Sequence, residues 1–255
     1  IMFVNNLDPV AFEFLSFQIR WYSLAYIFGF SICWLYIKNF LVKDLREKKL
    51  IDDFISYLIL GVIIGGRLGY VIFYNFFYYL SYPFEIFFIW QGGMSFHGGL
   101  LGVCLATYIF TQKYNLNFFR YTDLVSLAAP IGIFLGRVAN FINSELYGRE
   151  TDFILSVNFN KVDNVFRHPS QLYESFFEGI ILFIILNLLW KKFSEIPGVI
   201  SSLFLIFYSL FRFMIEFTRE PDAHLGILMN IFTYGQILSI AFFISGAILF
   251  KLVKK

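Results

Sequence analysis

Charged residues are scarce in this sequence, and no long polar segment separates its apolar runs. Only 15% of the 255 residues are Asp, Glu, Lys or Arg, whereas 58% are hydrophobic and the mean hydropathy is +0.69. A soluble domain carries roughly 25% charged residues, so a sizeable water-soluble domain is excluded. Apolar runs close to the ~20 residues that cross a bilayer recur along the chain. The composition predicts an all-α, polytopic integral membrane protein.

Two further scarcities exclude other classes of protein. The two cysteines, Cys33 and Cys104, lie in apolar runs without CxxC spacing, which predicts neither a disulfide framework nor a metal site. We interpret both as small packing residues. The formal net charge is only +2, which does not indicate a nucleic-acid partner. The first 20 residues lack a basic stretch followed by an apolar core, so we expect the first spanning helix to serve as the insertion signal.

The apolar runs predict about seven transmembrane helices within one domain, 1–255. The segment 76–93 is aromatic, lacks lysine and arginine, and is broken by Pro83. Tyrosine and tryptophan favour the head-group level, so we predict an interfacial or re-entrant segment there. The seven predicted spans are 21–41, 54–75, 94–111, 123–142, 171–190, 199–217 and 228–250.

Lysine and arginine are distributed unequally between the two sets of loops. Eleven lie after the first, third, fifth and last predicted spans, and five lie in the opposite set. Because positive residues concentrate in cytoplasmic loops, the N-terminus is predicted outside and the C-terminus in the cytoplasm. This orientation places the short polar loop 143–170 on the outer face.

Ionisable residues inside predicted spans are the most informative feature of the sequence. Such residues are costly in a bilayer and normally face protein or a water-filled cavity. Most of them fall near the outer ends of their predicted helices. They are Arg67, His97, Arg137, Glu174, Glu178, Arg212 and Glu216.

The stretch "GRVANFINSELYGRETD" places polar residues at helical spacing before a predicted helix end. Arg137, Asn140 and Asn143 follow each other in steps of three, and Glu145 and Gly148 come where the helix ends. Glycine suits a close turn after a helix. An arginine fork matches a phosphate in two-point contact, so this stretch indicates an anionic head group between helices. The alternative is a snorkelling arginine beside a capped helix end.

The stretch "YSLFRFMIEFTREPDAHLG" supplies a second arginine near the same membrane face. Arg212 and Glu216 are four residues apart, so they share a helix face and can pair. Tyr208 lies four residues earlier on that face. The alternative is an intrahelical ion pair that only allows the helix to insert.

Two further stretches carry polar residues into the membrane. In "WQGGMSFHGGLLG", two Gly-Gly pairs flank His97. Histidine is the residue type that can exchange a proton near neutral pH. The alternative is a structural histidine. In "RHPSQLYESFFEG", Glu174 and Glu178 share a face and are available to Arg67 or another arginine. For these glutamates and for Arg67, which lies among small residues, we favour a structural role.

These stretches together resemble the prolipoprotein diacylglyceryl transferase family. The resemblance rests on "GGMSFHGGLLG", "GRVANFINSELYGRETD", "RHPSQLYE" and "FRFMIEFTREPDAHLG", and it runs from the first predicted span to the last. It implies a multi-pass enzyme of the bacterial inner membrane with its active site toward the periplasm. It also implies transfer of a diacylglyceryl group from phosphatidylglycerol to the lipobox cysteine of a preprolipoprotein signal peptide. A thioether forms, and glycerol 1-phosphate leaves.

The resemblance also assigns expected roles to individual residues. Arg137 is the arginine that binds phosphatidylglycerol, and Arg212 with Glu216 forms the second polar pair. His97 matches a proposed base. Substrate contacts or catalytic support are expected from Tyr22, Asn140, Asn143, Glu145, Gly148 and Tyr208. The sequence departs from the family pattern in two places. The loop between Thr151 and Arg167 is short, which puts contacts by an outer head region in doubt. Arg20 stands where some relatives have histidine.

The chemistry leaves several alternatives open. The substrate thiolate is the nucleophile, and Arg137 and Arg212 would stabilise charge on the departing phosphate. His97 is either the general base or a residue that only orients the lipid while the cationic field lowers the thiol pKa. No metal or organic cofactor is expected, because no ligand cluster is present. Rival interpretations are a lipid flippase or transporter with an anion pathway, and a non-catalytic lipid-binding scaffold.

Overall fold

A computed structural model describes residues 3–14, 17–221, 227–228 and 232–254. The end of the "FRFMIEFTREPDAHLG" motif, 222–226, lies outside the described residues. The described chain is mostly helical and divides into two compact units, Ile1–Cys33 with Val125–Lys255, and Trp34–Leu124. The prediction of one domain over 1–255 stays a prediction.

Helices make up most of both units. The helices in the described residues are α1 Trp21–Tyr36, α2 Leu45–Phe73, α3 Phe76–Ser81, α4 Phe96–Tyr114, α5 Phe118–Ile142, α6 Ser170–Glu174, α7 Leu182–Phe193, α8 Val199–Ile215 and α9 Tyr234–Val253. Two π-helical stretches, Ile37–Leu41 and Ser175–Ile181, extend α1 and join α6 to α7. Short strands lie between the helices: β1 Phe3–Val4, β2 Val10–Phe14, β3 Phe17–Arg20, β4 Val157–Asn158, β5 Phe166–Arg167, β6 Ile227–Leu228 and β7 Phe232–Thr233.

Five helical segments are long and apolar enough to cross a membrane, which supports a polytopic membrane protein. They are Trp21–Leu41, Leu45–Phe73, Phe118–Ile142, Ser170–Phe193 and Tyr234–Val253. Two of the seven predicted spans form helices that are too short or not apolar enough to be counted with these five. The apolar helix α8 is shorter, at 17 residues. Helix α4 has a lower mean hydropathy because glycines, His97 and a polar last turn dilute its apolar residues.

Helix ends differ from the predicted boundaries where polar side chains cap the backbone. Helix α2 begins at Leu45 rather than 54, because the Asp44 carboxylate accepts a hydrogen bond from the Arg46 amide at 3.2 Å. Helix α9 begins at Tyr234 rather than 228, because Thr233 and Gln236 form a capping box. Both caps satisfy amide donors that a helix end otherwise leaves unpaired.

In the unit Trp34–Leu124, helices α2 and α4 approach closely along a line of glycines. A Cβ atom on Gly61 would lie 2.6 Å from the carbonyl oxygen of Gly102, and one on Gly69 would lie 2.6 Å from the Cα of Gly98. Any larger residue would push the two helices apart. This contact confirms the small-residue packing face that the sequence predicts around Arg67.

Arg67 is buried in the same unit and holds the segment 76–93. That segment folds as α3 and two short 3-10 helices, Pro83–Phe87 and Ile89–Gln91. The side chain of Arg67 is directed at backbone oxygens rather than at Glu174 or Glu178. Its donors contact the carbonyl oxygens of Glu85, Ile86, Phe88, Gly92 and Gly93 at 2.5–3.3 Å. The structural role predicted for Arg67 is confirmed, and five acceptors match the five N–H donors of a guanidinium.

In the other unit, short strands cover the C-terminal end of α5. Strand β4 pairs in parallel with β1 and antiparallel with β5. Phe159 is fully buried and packs against Phe141 near the end of α5, with ring centroids 5.8 Å apart. The segment 143–170 is therefore folded against the helix that carries Arg137.

Candidate active site

Three arginines and three glutamates converge in the unit that contains α5 and α8. We call this group the arginine–glutamate cluster. Its members come from α5, from α6 and the π-helical stretch after it, and from α8 and the turn that follows. They are Arg137, Glu174, Glu178, Arg212, Glu216 and Arg219. Equal numbers of positive and negative side chains allow such a group to lie within a membrane protein.

Glu174 is the residue that joins the cluster. Its Oε2 lies 3.0 Å from Nε of Arg137, and its Oε1 accepts hydrogen bonds from Arg212 Nη1 and, at 3.2 Å, from Arg219 Nη1. The side chain of Glu174 is fully buried. The sequence left open which arginine the two glutamates contact. In the structure these glutamates contact Arg137, Arg212 and Arg219, and not Arg67.

Local structure fixes the position of Glu174. Pro169 precedes α6, and the Ser170 hydroxyl donates to the carbonyl oxygen of Leu146 at 2.9 Å. Gln171 donates from Nε2 to the carbonyl oxygen of Glu145 at 2.5 Å. The π-helical stretch Ser175–Ile181 follows at once, and such stretches are often found at functional sites. These bonds attach the start of α6 to the loop after α5.

Arg212 and Glu216 form the intrahelical pair that their spacing predicts, so this prediction is confirmed. Nη2 of Arg212 lies 3.0 Å from Oε2 of Glu216. Oε1 of Glu216 accepts a hydrogen bond from the Thr233 hydroxyl at 2.9 Å. A Cβ atom on Gly235 would lie within 2.5–2.7 Å of the same carboxylate. Thr233 and Gly235 thus shape the site, and only their contacts, not a sequence motif, identify them.

Glu178 is buried beside Arg137 without a hydrogen bond. Its Oε2 lies 3.8 Å from Nη2 of Arg137, which is ion-pair distance but too long for a hydrogen bond. Neither carboxylate oxygen of Glu178 has a hydrogen-bond partner within the described part of the chain. An unsatisfied buried carboxylate is costly, so Glu178 depends on the positive charge of Arg137.

The loop after α5 is held by Glu145. Oε2 of Glu145 accepts from Asn140 Nδ2 at 3.0 Å, and its Oε1 accepts from Asn143 Nδ2 at 3.4 Å. The family resemblance gives Glu145 and Asn140 an expected role in substrate contact or catalytic support, which includes holding the arginines in position. The structure instead shows them bonded to each other, while Glu174 and Glu178 contact Arg137.

Gly148 was predicted to form a close turn after the helix, and this prediction is wrong. Helix α5 ends at Ile142, and the residues with left-handed backbone are Ser144 and Leu146, with φ of 58° and 56°. Gly148 bridges to Arg219 between extended segments. A Cβ atom there would lie 2.5 Å from the carbonyl oxygen of His168. Close backbone packing is the reason for glycine at this position.

Arg167 organises the rest of the segment 143–170. Its Nη2 lies 2.8 Å from Oδ2 of Asp163, its Nη1 lies 3.4 Å from Glu220, and its guanidinium lies over the Tyr147 ring at 4.9 Å. The hydrogen bond from Arg167 lowers the pKa of the Asp163 carboxyl, and the same bond raises the pKa of Arg167. Burial lowers the pKa of His168. The segment 143–170 is therefore a folded cover over the end of α5.

The remaining predicted site residues lie in different places. Tyr208 is on α8, one turn before Arg212, and it is close enough to interact electrostatically with Arg137 and Arg212. Tyr22 is in the first turn of α1, beside Tyr26 at a ring distance of 5.2 Å. His97 belongs to the unit Trp34–Leu124, in the first turn of α4. Its predicted meeting with the arginines stays a prediction.

In the part of the chain that the structure describes, no three His, Cys, Asp or Glu side chains are grouped as metal ligands would be. The cluster itself pairs each carboxylate with arginine.

Comparison with known proteins identifies the relatives of this chain. The family model described as prolipoprotein diacylglyceryl transferase matches residues 9–252. A phosphatidylglycerol–prolipoprotein diacylglyceryl transferase of Rickettsia typhi is 47% identical over 252 residues, which cover 97% of each chain. The protein of the same name from Ehrlichia ruminantium (strain Welgevonden) is 46% identical over 251 residues, again 97% of each. One from Rickettsia canadensis is 47% identical over 250 residues, 96% of each.

Proposed function

The chain belongs to the prolipoprotein diacylglyceryl transferase family and is a transferase. We propose that it transfers the diacylglyceryl group of phosphatidylglycerol to the thiol of a lipobox cysteine in a preprolipoprotein. The reaction forms a thioether and releases glycerol 1-phosphate. The near full-length match and the names of the relatives support this proposal.

The observation that carries the proposal is the orientation of Arg137. Its Nε lies 3.0 Å from Oε2 of Glu174, whereas its nearest approach to Glu178 is 3.8 Å, which is too long for a hydrogen bond. The side chain is 19% exposed, whereas both glutamates are fully buried. Arg212 differs, because both of its Nη atoms contact carboxylates. Arg137 is therefore the residue that we assign to the phosphate of the lipid.

The cluster suits a reaction in which negative charge grows on a leaving phosphate. The substrate sulfur attacks the glycerol carbon, the bond from that carbon to the phosphate oxygen breaks, and its electron pair stays on the phosphate. Preorganised cations stabilise such charge most strongly where water is excluded. In our proposal Arg137 binds the phosphate directly, Arg212 contributes its field, and Glu174 and Glu216 hold both guanidiniums in position.

The substrate thiol must lose its proton for the reaction to proceed, because the thiolate is the nucleophile. In our proposal His97 accepts this proton. The lipid and the peptide are positioned by Tyr22, Tyr208, Asn140, Asn143, Glu145 and Gly148. The alternative is that the field of the arginines alone favours the thiolate and His97 orients the lipid.

The proposed location is the bacterial inner membrane, with the active site toward the periplasm. Together with the five long apolar helices, α4 and α8 would bring the number of spans to seven. The lysine and arginine distribution supports an outer N-terminus and a cytoplasmic C-terminus. Arg137 and Arg212 lie near the predicted outer ends of α5 and α8.

An assay with purified protein tests the function directly. The full chain in detergent is mixed with phosphatidylglycerol and a synthetic lipobox peptide. We expect a peptide mass increased by one diacylglyceryl group and an equal amount of glycerol phosphate. A peptide with serine in place of the lipobox cysteine is the control. Lipid movement across vesicles without peptide modification would instead support a flippase.

Replacing His97 with glutamine tests the base. We expect transfer to fall by about 10²–10⁴-fold, the usual contribution of a general base. The pH profile of the rate should also change, because glutamine cannot accept the proton of the thiol. His168→Gln is the matched control, because His168 lies in the outer cover, and its activity should stay near that of the unchanged protein. Activity retained in His97→Gln with an unchanged pH profile would reject the base role.

A further inference from the structure

A cavity in the unit Trp34–Leu124 has a lining unlike that of the arginine–glutamate cluster. We call it the tyrosine cavity. Its volume is about 260 Å³, and the backbone of Gly92 and Gly93 closes one part of it. The side chains around it are Tyr70, Asn75, Tyr78, Tyr79, Glu85 and Gln91. Of these side chains only Gln91 belongs to a quoted sequence motif, and the proposed reaction uses none of them.

Aromatic rings at steep angles form the wall of the cavity. The rings of Tyr78 and Tyr79 are perpendicular, with centroids 5.2 Å apart. Tyr70 meets Tyr79 edge to face, at 6.5 Å and 75°. Rings at such angles present their faces in different directions, and the face of an aromatic ring attracts cations. Tyrosine rings with differently oriented faces therefore line the cavity.

One carboxylate supplies the charge of the cavity. Tyr78 donates its hydroxyl proton to Oε2 of Glu85 at 2.6 Å, and Asn75 donates from Nδ2 to the Tyr70 hydroxyl at 2.7 Å. The hydrogen bond to Glu85 raises the pKa of Tyr78, so this hydroxyl stays a proton donor. Among the ion pairs of the described residues, none includes Glu85. A negative charge beside aromatic faces favours a cation and disfavours an anion.

Arg67 does not supply the missing cation. It contacts the carbonyl oxygens beneath the segment, including that of Glu85, and its guanidinium lies over the Tyr79 ring at 5.2 Å. It is only 3% exposed and does not line the cavity. Its role is to hold the backbone that presents Glu85.

The exposed side chains of the segment that forms the cavity indicate what kind of cation the cavity meets. The segment that forms it also exposes large aromatic side chains, Phe77, Phe84, Phe87 and Trp90, each with 73–82% of its surface accessible. Exposed aromatic side chains of this kind mark a contact with the membrane interface. A cavity on the same segment lies at the level of lipid head groups, where organic cations are the ammonium groups of phospholipids.

We propose that the tyrosine cavity binds the ammonium head group of a zwitterionic amine phospholipid, with Glu85 as its counter-charge. The site is separate from the residues assigned to the anionic substrate, and its existence does not depend on the proposed reaction. It would retain an amine lipid at the segment 76–93 while rejecting phosphatidylglycerol.

Native mass spectrometry of the full chain in detergent tests this proposal. The probes are short-chain phosphatidylethanolamine, short-chain phosphatidylglycerol of the same acyl length, and free ethanolamine. Glu85→Gln removes the charge but keeps the carbonyl oxygen that Arg67 contacts, so the fold should survive. The matched control is Glu195→Gln, an exposed carboxylate outside the cavity. Tyr78→Phe is the second variant, because it removes the hydrogen bond but keeps the ring.

We expect the unchanged protein and Glu195→Gln to bind phosphatidylethanolamine about tenfold more tightly than Glu85→Gln does, because that substitution removes the counter-charge of the ammonium group and a tenfold change corresponds to about 1.4 kcal/mol. Tyr78→Phe should retain most of the binding. Competition by millimolar ethanolamine supports recognition of the ammonium alone, and resistance to it supports recognition of the whole lipid. Equal binding of phosphatidylethanolamine by Glu85→Gln, or a preference of the cavity for phosphatidylglycerol, would overturn the proposal.

Discussion

Replacing Arg137 with alanine is expected to lower diacylglyceryl transfer by about 10²–10³-fold or more, the usual effect of removing one preorganised group that stabilises developing charge. The Nε atom of Arg137 lies 3.0 Å from Glu174, its nearest approach to Glu178 is 3.8 Å, and we assign this arginine to the lipid phosphate. The measurement is the initial rate of peptide modification at saturating phosphatidylglycerol.

The alanine variant also changes stability, and the two effects must be separated. Without Arg137, Glu178 would be a buried carboxylate with no counter-charge within 4 Å, at a cost of about 3–5 kcal/mol. The double variant Arg137→Ala with Glu178→Gln removes one charge of each sign, so its thermal unfolding temperature should recover. Its transfer rate should not recover.

Two further variants complete the test of Arg137. Arg137→Lys keeps the charge but loses the planar fork, so an intermediate rate is expected. Arg46→Ala, at an exposed arginine near the start of α2, is the control and should behave like the unchanged protein. Near-normal turnover in Arg137→Ala, or recovery of turnover in the double variant, would contradict the assignment.

Replacing Glu174 with glutamine is expected to destabilise the protein and to lower transfer as well. This buried carboxylate contacts Arg137, Arg212 and Arg219, which come from two helices and a following turn. Without it, three arginines share two glutamates. Removing one partner of a buried ion pair typically costs about 3–5 kcal/mol, so the thermal unfolding temperature should fall clearly.

Glu174→Asp distinguishes positioning from charge balance. Aspartate restores the charge but is one methylene shorter, so it cannot bridge all three guanidiniums as glutamate does. We expect its unfolding temperature to recover more fully than its transfer rate, and the Michaelis constant for phosphatidylglycerol to rise. The control is Glu195→Gln, which removes an exposed carboxylate. A Glu174→Gln protein with unchanged stability and transfer would show that Glu174 does not position the arginines.

Part of the candidate site was predictable because its residues are close in sequence. Arg212 and Glu216 are four residues apart on one helix, and helical geometry alone brings them together. The same rule places Glu174 and Glu178 on one face, but it names no partner for them. The pair of Glu174 and Arg212 is separated by 38 residues, so only the packing of two helices decides it.

Gly148 and Thr233 show a second limit on what the sequence predicts. A glycine after a predicted helix is consistent with a turn and with a close backbone approach, and the sequence does not distinguish the two. Gly148 is required by its approach to His168, twenty residues along the chain. Thr233 looks like an ordinary helix cap, and only the tertiary structure adds its hydrogen bond to Glu216.

The amino-acid sequence by itself determined the class of the protein, the helical nature of its apolar runs, the family and the identity of the unusual arginines. These properties follow from composition, from spacing within one helix and from contiguous motifs. The tertiary structure alone decided that Glu174 contacts three arginines, that Arg67 holds the segment 76–93, and that tyrosines enclose a cavity beside Glu85. The physical reason is that a buried charge requires a partner, whereas the sequence does not specify which distant group will be near enough to serve.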